Sequence, residues 1–306
     1  IDVVRHHVVT QEMAEFNRYR AGELHITSSV PPDNFDQIRA EYPDELHIAP
    51  TLGVYYYGFN VTKAPFADNP ELRQALSMAI DREVLVEAIT GRGEAPAYSW
   101  VPPGVDNYEP VQLPYAELSR QERNAIAQSL YRKAGYSQDN PLHFELRYNT
   151  SDTQQRIALA VQAMWRKVLG AEAQTVNVEF QVLLDQMRER EVTEAFRSSW
   201  FGDYNDANTF LAIMQGDSAA NMPGYANPEY DELMHSAGEQ LDLARRRLYL
   251  EEAERVLLAD HVVIPLYFYV GKHLVKPEVE GWQDNILNYH YSQHLSLGAA
   301  EQDGRP

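Results

Sequence analysis

LHFELRYNTSDTQQRIALAVQAMWRKVLGAEAQTVNVEFQV, residues 142–182, decides the fold class. Leu142, Phe144, Leu146 and Tyr148 alternate with polar residues, which is the period of a half-buried strand. Residues 149–152, NTSD, form a turn and cap. Ile157, Val161, Met164, Trp165 and Val168 then recur at helical spacing up to Gly170. Alternation returns over 176–182. Strand, helix and strand with short connections make a βαβ unit, hence parallel strands and a right-handed crossover. The expected class is α/β.

Working outward, 66–93 opens with a helix that Asp68 or Asn69 caps and Pro70 starts, with Leu72, Ala75, Leu76, Ala79 and Ile80 on one face. Asp81 caps a second helix ending near Gly91 and Gly93, and Ser119 with Glu122 makes a capping box for a helix that stops at Gly135. Downstream, a third apolar run leads into SSWFGDYNDANTF, 198–210, so Trp200 stands at the carboxyl end of a strand. A helix capped by Asn205 or Asp206 follows at once. In open α/β sheets that edge is where ligands bind. Asn227-Pro228 opens another helix, 244–258 forms a long one, and 262–277 reads as two strands turning at Gly271. IDVVRHHVV, 1–9, reads as mid-strand without a starting Met, so the numbering is expected to begin partway into a longer polypeptide. GAAEQDGRP, 298–306, reads as a frayed tail.

The net charge of −19 repels nucleic acid and anionic membrane and suits cationic or zwitterionic ligands, or simply a soluble surface. Without cysteine there is no thiolate metal site, disulfide or Cys nucleophile. His6 and His7 face opposite ways on a strand, and the residues around His290 and His294 do not read as a helix, so no metal is expected. No G-x-S-x-G elbow and no phosphate-binding glycine loop follows a strand. Carboxylate pairs such as Glu251-Glu252, or Glu189 with Glu191, read as solvated helix faces. What stands out is aromatic: 19 tyrosines, clustered in VYYYGFN (54–60) and PLYFYVG (265–271). Tyrosine buries a ring and keeps a hydroxyl for hydrogen bonding. With Trp200, Phe201 and Asp203 at a strand end, they point to an aromatic-lined ligand cleft.

RYRAGELHIT (18–27), the run 55–86 from YYYGFN to REVLV, APAYSWVPPG (95–104), LRYNTSD (146–152), WFGDYNDANTF (200–210) and IPLYFYVGKHLVKPEVEGW (264–282) resemble, in order, the periplasmic oligopeptide-binding proteins of ABC importers. The resemblance covers 1–298 and implies a periplasmic-binding-protein-like α/β lobe with a mixed, partly parallel sheet flanked by helices. It places the end of the first lobe and the hinge approach at 1–52, the complete C-terminal ligand-binding lobe at 53–270, and the return to the first lobe with the tail at 271–306. An N-terminal lobe of the same polypeptide would be missing.

The resemblance further implies two lobes closing on an extended short peptide whose main chain pairs with strands. Asp203 would hold the α-ammonium, while Trp200, Phe201, Gly202, Tyr204 and Tyr56 would line the site, with Gly202 keeping the backbone accessible. Arg197 would meet the carboxylate, and Arg188 or Arg190 would serve as a second basic residue. Gln154 stands where well-known members carry histidine, and Thr90, near Arg92, where some carry lysine. The cysteine pair of some members falls on Gly53 and Phe201, and an acidic pocket residue on Gly58. No catalysis and no cofactor are implied. The partner is a membrane permease, and the location is the periplasm or, with a lipid anchor, the outer face of the cytoplasmic membrane. Alternatives are a binding protein for dipeptides, murein peptides, haem or a nickel chelate, and a hydrolase using Asp203, which needs a partner group and a raised pKa.

Overall fold

The computed structural model describes residues 3–9 and 11–298. In chain order its elements are α1 (Glu12–Arg20), α2 (Phe35–Glu41), β1 (Leu46–Phe59), α3 (Pro70–Met78), α4 (Arg82–Val84, continued by the π-helical turn Leu85–Thr90), β2 (Ala95–Pro96) and α5 (Arg120–Lys133). There follow β3 (His143–Asn149), α6 (Asp152–Leu169), β4 (Glu172–Val178), α7 (Phe180–Glu189), β5 (Ala195–Phe201) and α8 (Asn208–Leu211). The remaining elements are α9 (Pro228–Glu239), α10 (Leu243–Asp260), β6 (Val263–Leu274), β7 (Val279–Glu280) and β8 (Ser296–Leu297).

The described residues fall into two compact units, one of 3–51, 91–93 and 269–298, the other of Leu52–Thr90 and Glu94–Phe268. In the smaller unit Phe16, Tyr19, Val30, Phe35, Ile38 and Leu274 make a buried cluster. The larger unit is built on a sheet of order β2-β6-β1-β5-β3-β4. β3 pairs parallel to β4 and β5, whereas β1 pairs antiparallel to β5. The expected α/β class and the mixed, partly parallel sheet are therefore present. Alternation along β1 sends Tyr55, Tyr57 and Phe59 to one face and Tyr56 to the other. Trp165 of α6 packs against Tyr57 and Phe144, while Trp100 meets Tyr56 edge-on at 4.8 Å.

The predicted caps stand where the turn chemistry put them. The Asn69 side chain accepts from Leu72 N–H, Asp81 from Val84 N–H, and Ser119 with Glu122 closes the reciprocal box. Four expectations change. Alternation over 176–182 is the end of β4 followed by the first turn of α7, because the Glu179 carboxylate accepts from Gln181 and Val182 N–H and starts a helix there. Residues 262–277 are not a hairpin: β6 runs straight through Gly271, whose missing side chain leaves room for Asn288 Oδ1, 2.7 Å from where a Cβ would stand. The helix after Asp203 is four residues plus a 3-10 turn, with Asp206 bonded to Asn208 N–H. Residues 3–9 pair with no strand among the described residues and are mostly exposed, Val8 by 96%, so alternation alone makes no strand there. Of the expected tail, 299–306 lies outside the described residues.

One carboxylate organises a long irregular segment. Glu254, on the buried stripe of α10 with Leu250, Ala253, Leu257 and Leu258, is fully enclosed. It accepts hydrogen bonds from Trp100 N–H (2.8 Å), Val101 N–H (2.8 Å), Val111 N–H (2.8 Å) and the Tyr108 hydroxyl (2.6 Å). Burial pushes its carboxyl up to about 7 against the pull of these donors. At the far end of α10, His261 sits in the left-handed region with its ring over Tyr115. Burial and the cations of Arg73 and Arg82 hold it neutral, its pKa lowered to about 3.

Candidate functional site

Residues 200–209 of the larger unit gather at the carboxyl end of β5. The ladder with β1 ends at Gly202, whose N–H donates to Leu52 C=O at 2.8 Å. A Cβ on Gly202 would stand 3.2 Å from Phe210 and Thr209 and 3.3 Å from Leu52. A side chain here would therefore press on three neighbours, which favours glycine by packing. Beyond it Asp203 N–H donates to the Thr209 hydroxyl at 3.2 Å. The Asp203 side chain is exposed, and among the described residues its carboxylate makes no hydrogen bond or ion pair. Phe201 is 51% exposed and Tyr204 46% exposed, so in the chain the exposed Asp203 has a half-exposed aromatic on either side of the Gly202-Asp203 pair. Trp200 lies half-buried, its indole N–H 3.5 Å from the same Thr209 hydroxyl.

A second group lies on the face of β5 that carries Arg197. Its guanidinium is buried 4.9 Å above the Tyr55 ring and donates to Asn149 Oδ1 at 3.0 Å. The Tyr55 hydroxyl donates to Gln154 Oε1 at 2.6 Å. Tyr55 thus links Arg197 to Gln154 in the first turn of α6, and Asn149 ends β3. The first group sits at the carboxyl end of β5 and the second at the carboxyl end of β3, where Asn149 meets Arg197 of the middle of β5; the α/β rule places ligands at such strand ends. Asn149 and Thr209 were not singled out by the sequence. Both stood in segments legible only as turn or helix start, and their partners are 48 and 6 residues away.

The remaining candidates are elsewhere. Arg188 is exposed on α7, 3.4 Å from Asp185. Arg190 closes α7 in a left-handed conformation and spends its guanidinium on the carbonyls of Asn221 and Met222. Both precede β5 at its amino end, a strand length of about 20 Å from Asp203. Tyr56 is buried against Trp100, on the face of β1 opposite Tyr55, and burial raises its phenol pKa. Among the described residues no group of three or more His, Asp and Glu side chains is arranged to hold a metal ion.

Gly53 and Phe201, where the resemblance puts a cysteine pair, are directly opposed across β1 and β5. The bond from Gly202 N–H to Leu52 C=O makes 52/202 a hydrogen-bonded pair, so 53/201 is a non-hydrogen-bonded pair with close Cα atoms. That spacing suits a disulfide. The double variant Gly53→Cys/Phe201→Cys is expected to oxidise spontaneously, leaving no titratable thiol after unfolding without reductant. Two free thiols per chain would contradict this register.

The family model of bacterial extracellular solute-binding proteins, family 5 Middle, matches residues 1–222. The chain is 36% identical over 277 residues to the periplasmic murein peptide-binding protein MppA of Escherichia coli, covering 90% of the chain and 51% of that protein. It is 36% identical over 283 residues to the periplasmic oligopeptide-binding protein OppA of Salmonella typhimurium, covering 92% and 52%. Its fold superposes on the crystal structure of Haemophilus influenzae OppA in complex with RPPGFSPFR with a TM-score of 0.82 at 33% identity, over 94% of this chain and 56% of that one. The chain thus spans about half the length of the curated relatives it matches. It belongs to the bacterial extracellular solute-binding proteins of family 5.

Proposed function

We propose that this chain is the ligand-binding portion of the substrate-binding component of an ABC peptide importer, working in the periplasm or tethered to the outer face of the cytoplasmic membrane. The observation that carries the reading is the open Asp203 carboxylate, between Phe201 and Tyr204 in the chain, at the carboxyl end of a strand whose ladder ends one residue earlier. Every unmodified peptide offers an ammonium, a carboxylate and a main chain that pairs with a strand, so capture through those groups is independent of sequence. Asp203 takes the α-ammonium, and Trp200, Phe201, Gly202 and Tyr204 form the wall and backbone around it. Arg197, with Gln154 reached through Tyr55, answers the carboxylate, and a guanidinium suits it through two parallel hydrogen bonds. Arg188 is the exposed member of its pair and the one open to a longer ligand. Tyr56 acts from behind the strand, holding β1 through Trp100.

In this reading Leu52–Phe268 without 91–93 is the C-terminal lobe, and the smaller unit carries parts of the first lobe. The remaining lobe belongs to the same polypeptide, and the closed, loaded form is handed to a membrane permease. The names of the relatives, which concern oligopeptides and murein peptides, support a peptide over sugar or metal. The test is incubation of the natural polypeptide containing this chain with a labelled tripeptide. Saturable binding with the peptide recovered intact is expected. Turnover would replace the reading with a hydrolase.

A further inference from the structure

We infer that Thr209 is the positioning residue for Asp203, its hydroxyl fixing where the carboxylate meets the ligand's ammonium; this rests on the reading of Asp203 given above. Past Gly202 the β1–β5 ladder supplies no further partner, and the first main-chain bond made by Asp203 is to Thr209 Oγ1. The same oxygen lies 3.5 Å from the indole N–H of Trp200, so one buried hydroxyl, on a residue only 3% exposed, receives donors from both sides of the Phe201-Gly202 step.

The rest of the loop is tied independently. Asp206 N–H donates to Tyr204 C=O at 2.9 Å, and Asn208 N–H to Asp206 Oδ1 at 2.8 Å. The Asp206 carboxylate pairs with both terminal nitrogens of Arg246 at 2.7 and 2.9 Å. Asp106 N–H donates to Asn205 Oδ1 at 3.1 Å. Loss of the Thr209 hydroxyl therefore removes the Asp203 main-chain bond and the Trp200 indole contact, while Trp200 keeps its place opposite Val54 in the ladder and residues 204–208 stay held. The Thr209 methyl packs on Gly202, and valine, which keeps that methyl and the β-branch, separates the hydroxyl's role from packing. An aligned charge–charge contact depends steeply on placement, and a displacement of about 1 Å at a positioned group is costly.

The experiment is calorimetric titration of the natural polypeptide containing this chain with a tripeptide, free and N-acetylated, in wild type, Thr209→Val, Thr209→Ser and Asp203→Asn. Thr209→Val is expected to weaken binding of the free peptide about tenfold (about 1.4 kcal/mol) and to shrink the preference for free over acetylated peptide. Thr209→Ser is expected to keep both near wild type. A merely structural lesion weakens both ligands in proportion, so an unchanged preference in Thr209→Val would overturn the inference. If Thr209→Val does not fold, Thr209→Ala is read in its place by the same criterion. Asp203→Asn separates the two levels. Loss of preference there with none in Thr209→Val removes only the role of Thr209, whereas intact preference in Asp203→Asn removes the reading of Asp203 and this inference with it.

Discussion

Glu254→Leu is expected to abolish stable folding of the larger unit, or to leave it with residues 98–113 detached. The carboxylate is the shared acceptor for three main-chain N–H groups and the Tyr108 hydroxyl, all converging on one fully buried side chain. Each buried donor left without an acceptor costs about 1–3 kcal/mol, and a domain has only about 5–15 kcal/mol to lose. Glu254→Gln keeps the shape and one carbonyl acceptor, but sets an amide NH2 against the remaining donors. It is expected to fold with a clearly lower urea midpoint. Hydrogen exchange reads the effect directly: the amides of Trp100, Val101 and Val111 should lose protection first. Protection unchanged in either variant would contradict the role assigned to Glu254.

The same carboxyl gives a pH dependence with a definite sign. Its folded pKa of about 7 lies above the ordinary 4.5. Folded and unfolded forms are both protonated below about pH 4.5, and above that the unfolded form releases its proton first. The stability contributed by this group is therefore full below 4.5 and is lost as pH rises towards 7. His261 acts in the opposite direction. Its folded pKa of about 3 lies below the ordinary 6.5, so its contribution is full above 6.5 and falls as pH drops towards 3. The two slopes oppose each other in wild type. In Glu254→Gln the acid-side gain should vanish, leaving stability that falls more steeply from pH 7 to 4.5 than in wild type.

Asp203→Asn is expected to weaken capture of a free-amine peptide by about two to three orders of magnitude. Without ligand the carboxylate is exposed, where an ion pair is worth about 0–1 kcal/mol. Breaking a pair that has been buried costs about 3–5 kcal/mol, because the surviving charge is left desolvated. The size of the loss therefore reports whether water is excluded from the ammonium when ligand binds. A change below threefold would mean that the pair stays wet, or that Asp203 does not hold the amine. Asparagine preserves volume and the Asp203 main-chain bond to Thr209, so the difference measures the charge.

Local signals carried the fold where one segment contains its own reason. The caps at Asn69, Asp81 and Ser119, the amphipathic stripe of α6 and the alternation of β3 each depend on residues within a few positions. The reading failed where a distant partner decides. Gly271 resembles a turn until Asn288 fills the space above it. Glu179 failed for a local reason instead: its carboxylate caps α7 through the N–H groups two and three residues on, a role that glutamate takes less often than Ser, Thr, Asp or Asn. Glu254 left a signal that can be read, a lone carboxylate on an apolar helix stripe between Leu250 and Leu257. Glu252, Glu189 and Glu191 are solvent-exposed as expected, whereas Glu251 is half-buried and paired with Arg247 at 3.2 Å, one turn earlier on α10. At the candidate site, the position of WFGD at a strand end was legible. The clustering of Arg197, Tyr55, Gln154 and Asn149 was not, since it joins strands β1, β3 and β5 with helix α6 through contacts between residues far apart in the chain, as far as Tyr55 from Arg197.

The central claim is that the carboxylate of Asp203 captures the free amine of a peptide. The most direct measurement is calorimetry of the natural polypeptide containing this chain with a mixed tripeptide pool and with the same pool N-acetylated. Binding of the free pool and its loss on acetylation is the predicted result. Equal binding of both pools would contradict the claim, and no heat from either would point to a ligand other than a peptide.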